Sequence, residues 1–307
     1  MLAIKNYGRH LKLITKILVS GVAIYFIASK MDLSIVLKEL TAIHPFFLIT
    51  AVTLYMLSQI ISSHRLNTLF KALPLQIPFL SNVKLYWVGM FYNFFLPGGV
   101  GGDGYKVVFL RRHFSNPVKN ILSAIISDRV SGLMIIGCFV LGLSYFVPQH
   151  LPLQEWFFLL IPLSLLGFYF FLKIINHQLN QAFWQVSGLS LLIQGIQVVA
   201  VICLLFAIDV DIAQYGTEYL LLFFLSTIAS AVPITLGGIG AREMVFFSGS
   251  LYMGTDPGQA LALSILFYLT TLISSLPGLY FVVKPNAIQI KDQSFISETA
   301  SIERHRA

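Results

Sequence analysis

Six stretches of this chain, 13–29, 45–63, 121–147, 155–174, 186–208 and 258–283, are apolar over lengths that suit a bilayer-spanning helix. A hydrocarbon core of about 30 Å takes about 20 helical residues to cross. No soluble globule accommodates so many such runs. Charged residues are only 11% of the 307, whereas a soluble domain has about 25%. The expectation is an all-α polytopic membrane protein with about six full transmembrane helices. Residues 1–285 form its transmembrane domain and 286–307 a short polar cytoplasmic tail. The stretch 13–29 follows Lys5, Arg9, Lys12 and Lys16, as a signal peptide would, but its end lacks a good cleavage site. It is read as an uncleaved first helix.

Two further apolar stretches are interrupted. Residues 85–112 break at Pro97, Gly98, Gly99, Gly101 and Gly102, and residues 218–247 break at Pro233, Gly237, Gly238 and Gly240. Pro and clustered Gly end helices. The 12 residues from Leu85 to Leu96 give an arm of about 18 Å, which reaches mid-bilayer without crossing it. Each stretch is therefore read as a re-entrant broken-helix hairpin. Irregular backbone at that depth needs protein or a watery cavity around it.

Charge sets the expected orientation. With a cytoplasmic N-terminus and both hairpins re-entrant, 16 of the 20 Lys and Arg fall on the cytoplasmic side, Arg65, Lys106, Arg111, Arg112 and Lys119 among them. Only Lys30 and Lys38 fall outside. Basic residues collect on the cytoplasmic side, so both termini are expected there, in a multi-pass membrane protein. The net charge of +7 is thus first a matter of topology, and nucleic acid is not an expected partner. In this arrangement the first hairpin enters from the cytoplasm and the second from outside.

The hairpins also resemble one another. GGVGGDG at 98–104 aligns with GGIGARE at 237–243 at a constant offset of 139, matching three glycines and placing Val100 on Ile239. Opposite membrane entry makes this an inverted repeat, the arrangement in which secondary transporters place broken helices around a midplane site. Helix N-termini after the two turns would direct partial positive charge and free N–H groups at an anion.

Ionisable residues within lipid cost about 2.5–3.5 kcal/mol each on insertion scales, so they are paired or line a cavity. Asp103 and Lys106 follow the first turn, Asp128 and Arg129 lie inside 121–147, and Arg242 and Glu243 follow the second turn. Two readings stand. In one, Arg129 and Arg242 hold a phosphate by charge-assisted hydrogen bonds while Asp103, Asp128 and Glu243 balance charge or carry a coupling proton. In the other, the acids and bases pair across helices and lock the bundle. Asp128 and Arg129 point about 100° apart on a helix and cannot serve one partner face. Asn93, before the first break, either bonds freed backbone or contacts substrate. Gln194 and Gln197 suit interhelical hydrogen bonds. The basic rim Lys106–Lys119 either follows the positive-inside rule or attracts anionic headgroups.

Signals of catalysis are poor. None of the seven histidines is spaced for a metal site or set beside an acid as in a catalytic arrangement, and there is no phosphate-loop motif. No enzymatic activity, metal or cofactor is expected. Cys138 and Cys203 lie in apolar runs and read as packing thiols.

The strings FFLPGGVGGDGYKVVFLRR, ISDRVSGL and PITLGGIGARE, in that order, resemble the lysylphosphatidylglycerol synthase transmembrane region family, also described as flippase-like integral membrane proteins. The most specific parts are Ser127, Asp128 and Arg129, then Pro233, Gly237, Gly238, Gly240, Arg242 and Glu243, and the resemblance covers about 10–285. The family commonly has a basic residue closer after the first glycine turn, where this sequence has Lys106. In its best-known members the region precedes a cytosolic domain that aminoacylates phosphatidylglycerol, and the membrane part is associated with moving the product between leaflets. The resemblance implies a stand-alone member without the synthase domain. It therefore implies a lipid translocase, or flippase, moving an anionic or phosphate-bearing headgroup between leaflets of the bacterial inner membrane, with membrane lipids as partners. Alternatives from other classes are a secondary carrier for a small anion and a membrane scaffold for a lipid- or glycan-modifying enzyme. A second copy of the chain or such an enzyme would then be the protein partner.

Overall fold

The computed structural model describes residues 41, 43–95, 101–114, 116–148, 154–232 and 240–288. The expected first helix 13–29 and most of the tail 286–307 lie outside them. So do Pro97, Gly98 and Gly99 of the first turn and Pro233, Gly237 and Gly238 of the second. The described chain is helical with no strand: α1 Pro45–Ala72, α2 Phe79–Phe95, α3 Gly101–His113, α4 Val118–Leu143, α5 Phe157–Ile175, α6 Phe183–Ala207, α7 Ile212–Ala231, α8 Ala241–Met253, α9 Pro257–Ser275 and α10 Pro277–Val283. Short 3-10 turns precede α5 (Gln154–Trp156) and α6 (His177–Ala182).

Five stretches are long and apolar enough to cross a membrane: Pro45–Ala72, Val118–Leu143, Gln154–Ile175, His177–Ala207 and Pro257–Val283. They fall on the five expected spans within the described residues. At about 1.5 Å per residue, the 13-residue helices α3 and α8 reach about 20 Å and fall short of a crossing.

The local chemistry explains most boundaries. Pro45 occupies the first turn of α1, where a missing N–H costs nothing. Pro74 forces Leu73 into extended backbone, and α1 stops there. Asp211 caps α7 by accepting from the Ala213 and Gln214 amides at 3.0 and 3.2 Å. Asp256 caps α9 through the Gln259 amide at 2.8 Å.

Two helices extend beyond their apolar runs. α1 continues nine residues past Ser63, because protein rather than lipid surrounds its polar second half: Arg65 and Asn67 are 5% and 2% exposed. α2 begins at Phe79 instead of 85, since Asn82 is fully buried with its Nδ2 donating to the Ser63 carbonyl at 2.6 Å. The first arm of the interrupted stretch is therefore 17 residues long, about 26 Å.

The offset of 139 found at the glycine turns extends to the helices. Shifted by 139, α1 falls on 184–211, α2 on 218–234, α3 on 240–252 and α4 on 257–282. Those ranges overlap α6, α7, α8 and the α9–α10 run, while α5 has no counterpart among the described residues and links the two sets. α5 lies at the edge, packed mainly on α4, with Leu163 and Leu166 exposed.

α1 and α6 form the most extensive helix pair at the centre. An apolar core closes each end of this pair. Ala51 and Ala200–Ile208 belong to one, with α7 and α9; Leu66–Leu75 and Phe183–Val186 belong to the other, with α4 and α5. Between the two cores, Ser58, Gln59, Ser62, Arg65, Gln194 and Gln197 form a buried polar zone. Ser58 lies about 20 Å along α1, near its midpoint.

Candidate functional site

A cavity of about 370 Å³ opens in this polar zone, lined by residues of α1, α2, α3, α4, α6, α7, α8 and α9. Six of its lining residues are ionisable acids or bases: Arg65, Lys106, Arg129 and Arg242 against Asp103 and Asp128. The lining thus carries a formal surplus of two positive charges among the described residues. The sequence at 96–100 and 233–239 contains no ionisable side chain.

The charges are arranged in three groups. Arg65 Nε donates to Asp128 Oδ1 at 2.8 Å and Arg65 Nη1 to Ser190 Oγ at 2.9 Å, tying α1 to α4 and α6. Asp103, at the start of α3, accepts from two cations. Arg129 Nε bonds its Oδ2, and Lys106 Nζ lies 3.5 Å from its Oδ1. Lys106 also sits 4.2 Å above the Tyr86 ring and runs its stem along Gly89. Asp128 and Arg129, adjacent in sequence, serve different partners, as their divergence on a helix requires.

Arg242 forms the third group. It is only 9% exposed, it lines the cavity, and its Nε and Nη1 have no hydrogen-bond partner among the described residues. Its guanidinium lies 5.0 Å over the Phe267 ring, in the first turn of α8. An unpartnered buried guanidinium is expensive, and an anion with two oxygens matches its geometry.

Residues at the end of α2 and at the starts of α3 and α8 hold these groups in place. Gly102 lets α3 approach α2 backbone to backbone: a Cβ there would lie 1.9 Å from the Gly89 carbonyl oxygen. Asn93 Oδ1 accepts from the Gly102 amide at 2.9 Å, so this cavity-lining side chain also satisfies a free donor at the α3 N-terminus. Gly101 opens α3. Gly240 precedes α8 at φ 88°, a conformation that favours glycine. Glu243 is not among the lining residues; its carboxylate accepts from the Gly240 amide at 2.6 Å and from Ser264 Oγ at 3.2 Å. It closes the start of α8.

Lys106, a candidate site residue, and Arg65, counted with the cytoplasmic residues, are each 5% exposed and line the cavity. Each faces an acid inside the protein, Arg65 facing Asp128 and Lys106 facing Asp103. Arg65 is not among the candidate site residues read from the sequence, and neither are Tyr55, Gln59 and Ser62. These four recur every three or four residues and occupy one face of α1, a periodicity readable in the sequence. Gln197 Nε2 reaches Ser58 Oγ at 3.3 Å, as an interhelical bond, while Gln194, a lining residue, has no partner for its Oε1 among the described residues.

The model of the lysylphosphatidylglycerol synthase TM region matches residues 13–278. The chain belongs to that family. As a member of the lysylphosphatidylglycerol synthase TM region family with five membrane-crossing helical stretches, it is a multi-pass membrane protein. It is also 27% identical over 97 residues to UPF0104 membrane protein PH1989 of Pyrococcus horikoshii. That match spans 31% of this chain and 29% of the relative's length. No solved structure matches the chain at a significant level.

Proposed function

We propose that the protein moves an anionic, phosphate-bearing lipid headgroup between the leaflets of its membrane. The observation that carries this reading is Arg242, buried with its Nε and Nη1 unpartnered among the described residues, in a cavity whose described lining keeps two surplus positive charges. A phosphate would supply both the missing acceptors and the missing charge. Arg129, more exposed than Arg65 and placed on the cavity wall, would share the headgroup. The Arg65–Asp128 pair would serve as a fixed wall, and Asp103, held by two cations, as the internal anion with which the headgroup competes.

Topology supports the same reading. If α2–α3 and α7–α8 each return to the face they entered from, three crossings separate α1 from α6, and the two sets of helices are inverted copies. Alternating access around a midplane site follows naturally from such a repeat. The orientation with cytoplasmic termini belongs to this proposal, since Lys71, Lys119 and Lys173 lie at the helix ends on one face.

Lipids retained by the protein purified in mild detergent, identified by mass spectrometry, test the proposal. Wild type should retain a phosphate-bearing anionic lipid that Arg242→Gln loses. Equal retention by both proteins would reject Arg242 as the headgroup site.

A further inference from the structure

Beside the charged cavity lies a second depression of about 560 Å³, almost wholly apolar, between α4, α5, α7 and α8. We propose that it is a groove for the hydrocarbon chain of the lipid whose headgroup occupies the cavity. This rests on the headgroup reading above.

Continuity along three helices carries the inference. On α4 the cavity uses Arg129, Gly132 and Ile136, and the groove uses Val140, Leu141 and Ser144. On α7 the cavity uses Thr227 and Ser230, and the groove Leu221, Leu222 and Leu225. On α8 the cavity uses Arg242, and the groove Val245, Ser248 and Tyr252. The change from polar to apolar runs toward the C-terminus on α4 and α8 and toward the N-terminus on α7. α7 packs on both neighbours, so antiparallel helices place all three changes in one spatial direction. The hydroxyl of Ser144 donates to the carbonyl of Val140 on its own helix and adds no open polar group. A polar chamber that becomes an apolar trough along the same walls matches an amphiphile. A small soluble anion has no use for the trough.

The direction also fixes the orientation of the lipid. Val147 and Phe157, on either side of the α4–α5 connection, and Met253, before the α8–α9 turn, line the far end. The groove therefore leads to that face. The ends of α1 and α5 and the starts of α4 and α6 gather at the opposite face, where Asn176 Nδ2 donates to Asn120 Oδ1 at 3.3 Å and Gln181 Nε2 to the Ala72 carbonyl at 3.0 Å. A lipid's tail points away from its own surface. A lipid with its head in the cavity and its chain in this groove thus has the orientation of the leaflet at the Ala72–Asn176 face and is captured from there.

Binding of dioleoyl phosphatidate, dihexanoyl phosphatidate and inorganic phosphate to the purified full chain provides the test, with Ser248→Trp and Val245→Trp to fill the groove. Ser248 is exposed on α8, so its replacement spares the core even if Val245→Trp disturbs folding. The expected result is a tenfold or greater loss of dioleoyl affinity in Ser248→Trp, with the dihexanoyl lipid and phosphate bound as by wild type. Unchanged dioleoyl binding in both variants overturns the groove. So does a wild type without chain-length preference, which would point to another part of the chain, such as 13–29, filling it. A separate arm with Arg242→Gln distinguishes the two proposals. If all three probes bind that variant normally, the headgroup reading fails, whereas loss of all three together with no chain-length effect in the tryptophan variants sinks only the groove.

Discussion

Removing Asp128 tests how the cavity wall is held together. Its Oδ1 accepts from Arg65 Nε at 2.8 Å, and both side chains are under a tenth exposed. In Asp128→Ala, Arg65 keeps only the neutral Ser190 hydroxyl at 2.9 Å. Deleting one member of a buried ion pair costs about 3–5 kcal/mol, mostly because the remaining charge is uncompensated. Water in the cavity can reach Arg65, which argues for the lower end, about 3 kcal/mol. Replacing both residues by apolar ones of similar size, Arg65→Met with Asp128→Leu, removes the orphaned charge, and such replacements are often neutral or stabilising. Reversible unfolding in mixed detergent micelles, for wild type, Asp128→Ala and the double variant, would measure this. The expected pattern is a large loss in Asp128→Ala and recovery of most of it in the double variant. A single-variant loss below about 1 kcal/mol, a value typical of exposed pairs, would show that the pair is not a desolvated structural wall.

Other expectations follow from the same geometry. Gly102→Ala should destabilise by roughly 1–3 kcal/mol or more, because its Cβ would meet the Gly89 backbone at 1.9 Å, whereas Gly104→Ala, with nothing within 4 Å, should gain about 1 kcal/mol of helix propensity; thermal unfolding of the two proteins compares them. Asn93→Ala should cost about 1 kcal/mol through the orphaned Gly102 amide, read in the same unfolding assay. Asp103→Asn leaves four cations facing one carboxylate, which raises the attraction of the cavity for an anion. Calorimetric titration with phosphatidate should therefore show tighter binding to this variant than to wild type. Arg242→Gln should weaken the same binding by about 2 kcal/mol or more, roughly thirtyfold.

The helical architecture was legible because lipid imposes a coarse rule: an apolar run of sufficient length crosses. That rule locates α4, α5, α6 and the α9–α10 run well. It truncates α1 at Ser63, because His64 and Arg65 look like the edge of the membrane when only lipid is considered as the surroundings. The helix in fact continues with its polar residues covered by α2, α4 and α6. Ion pairing inside the protein erases the contrast on which charge counting depends, and for this reason the count places Arg65 on the cytoplasmic side although it is buried beside Asp128. At the site, intramembrane charge points to Asp103, Lys106, Asp128, Arg129 and Arg242, all of which line the cavity. Sequence alone could not assign their partners, since the Arg65–Asp128 pair spans 63 positions and the Arg129–Asp103 pair 26. Nor could it separate Glu243 from Arg242, because only backbone geometry turns the carboxylate toward the Gly240 amide while its neighbour faces the cavity.

The central claim is best tested in proteoliposomes containing the pure protein and a headgroup-labelled phosphate-bearing lipid, with a membrane-impermeant reductant added outside. Label in the inner leaflet should become reducible with wild type and remain protected with Arg242→Gln, provided that both proteins are folded and inserted equally. Protection that is the same with wild type, with the variant and in protein-free vesicles would contradict translocation through the Arg242 cavity.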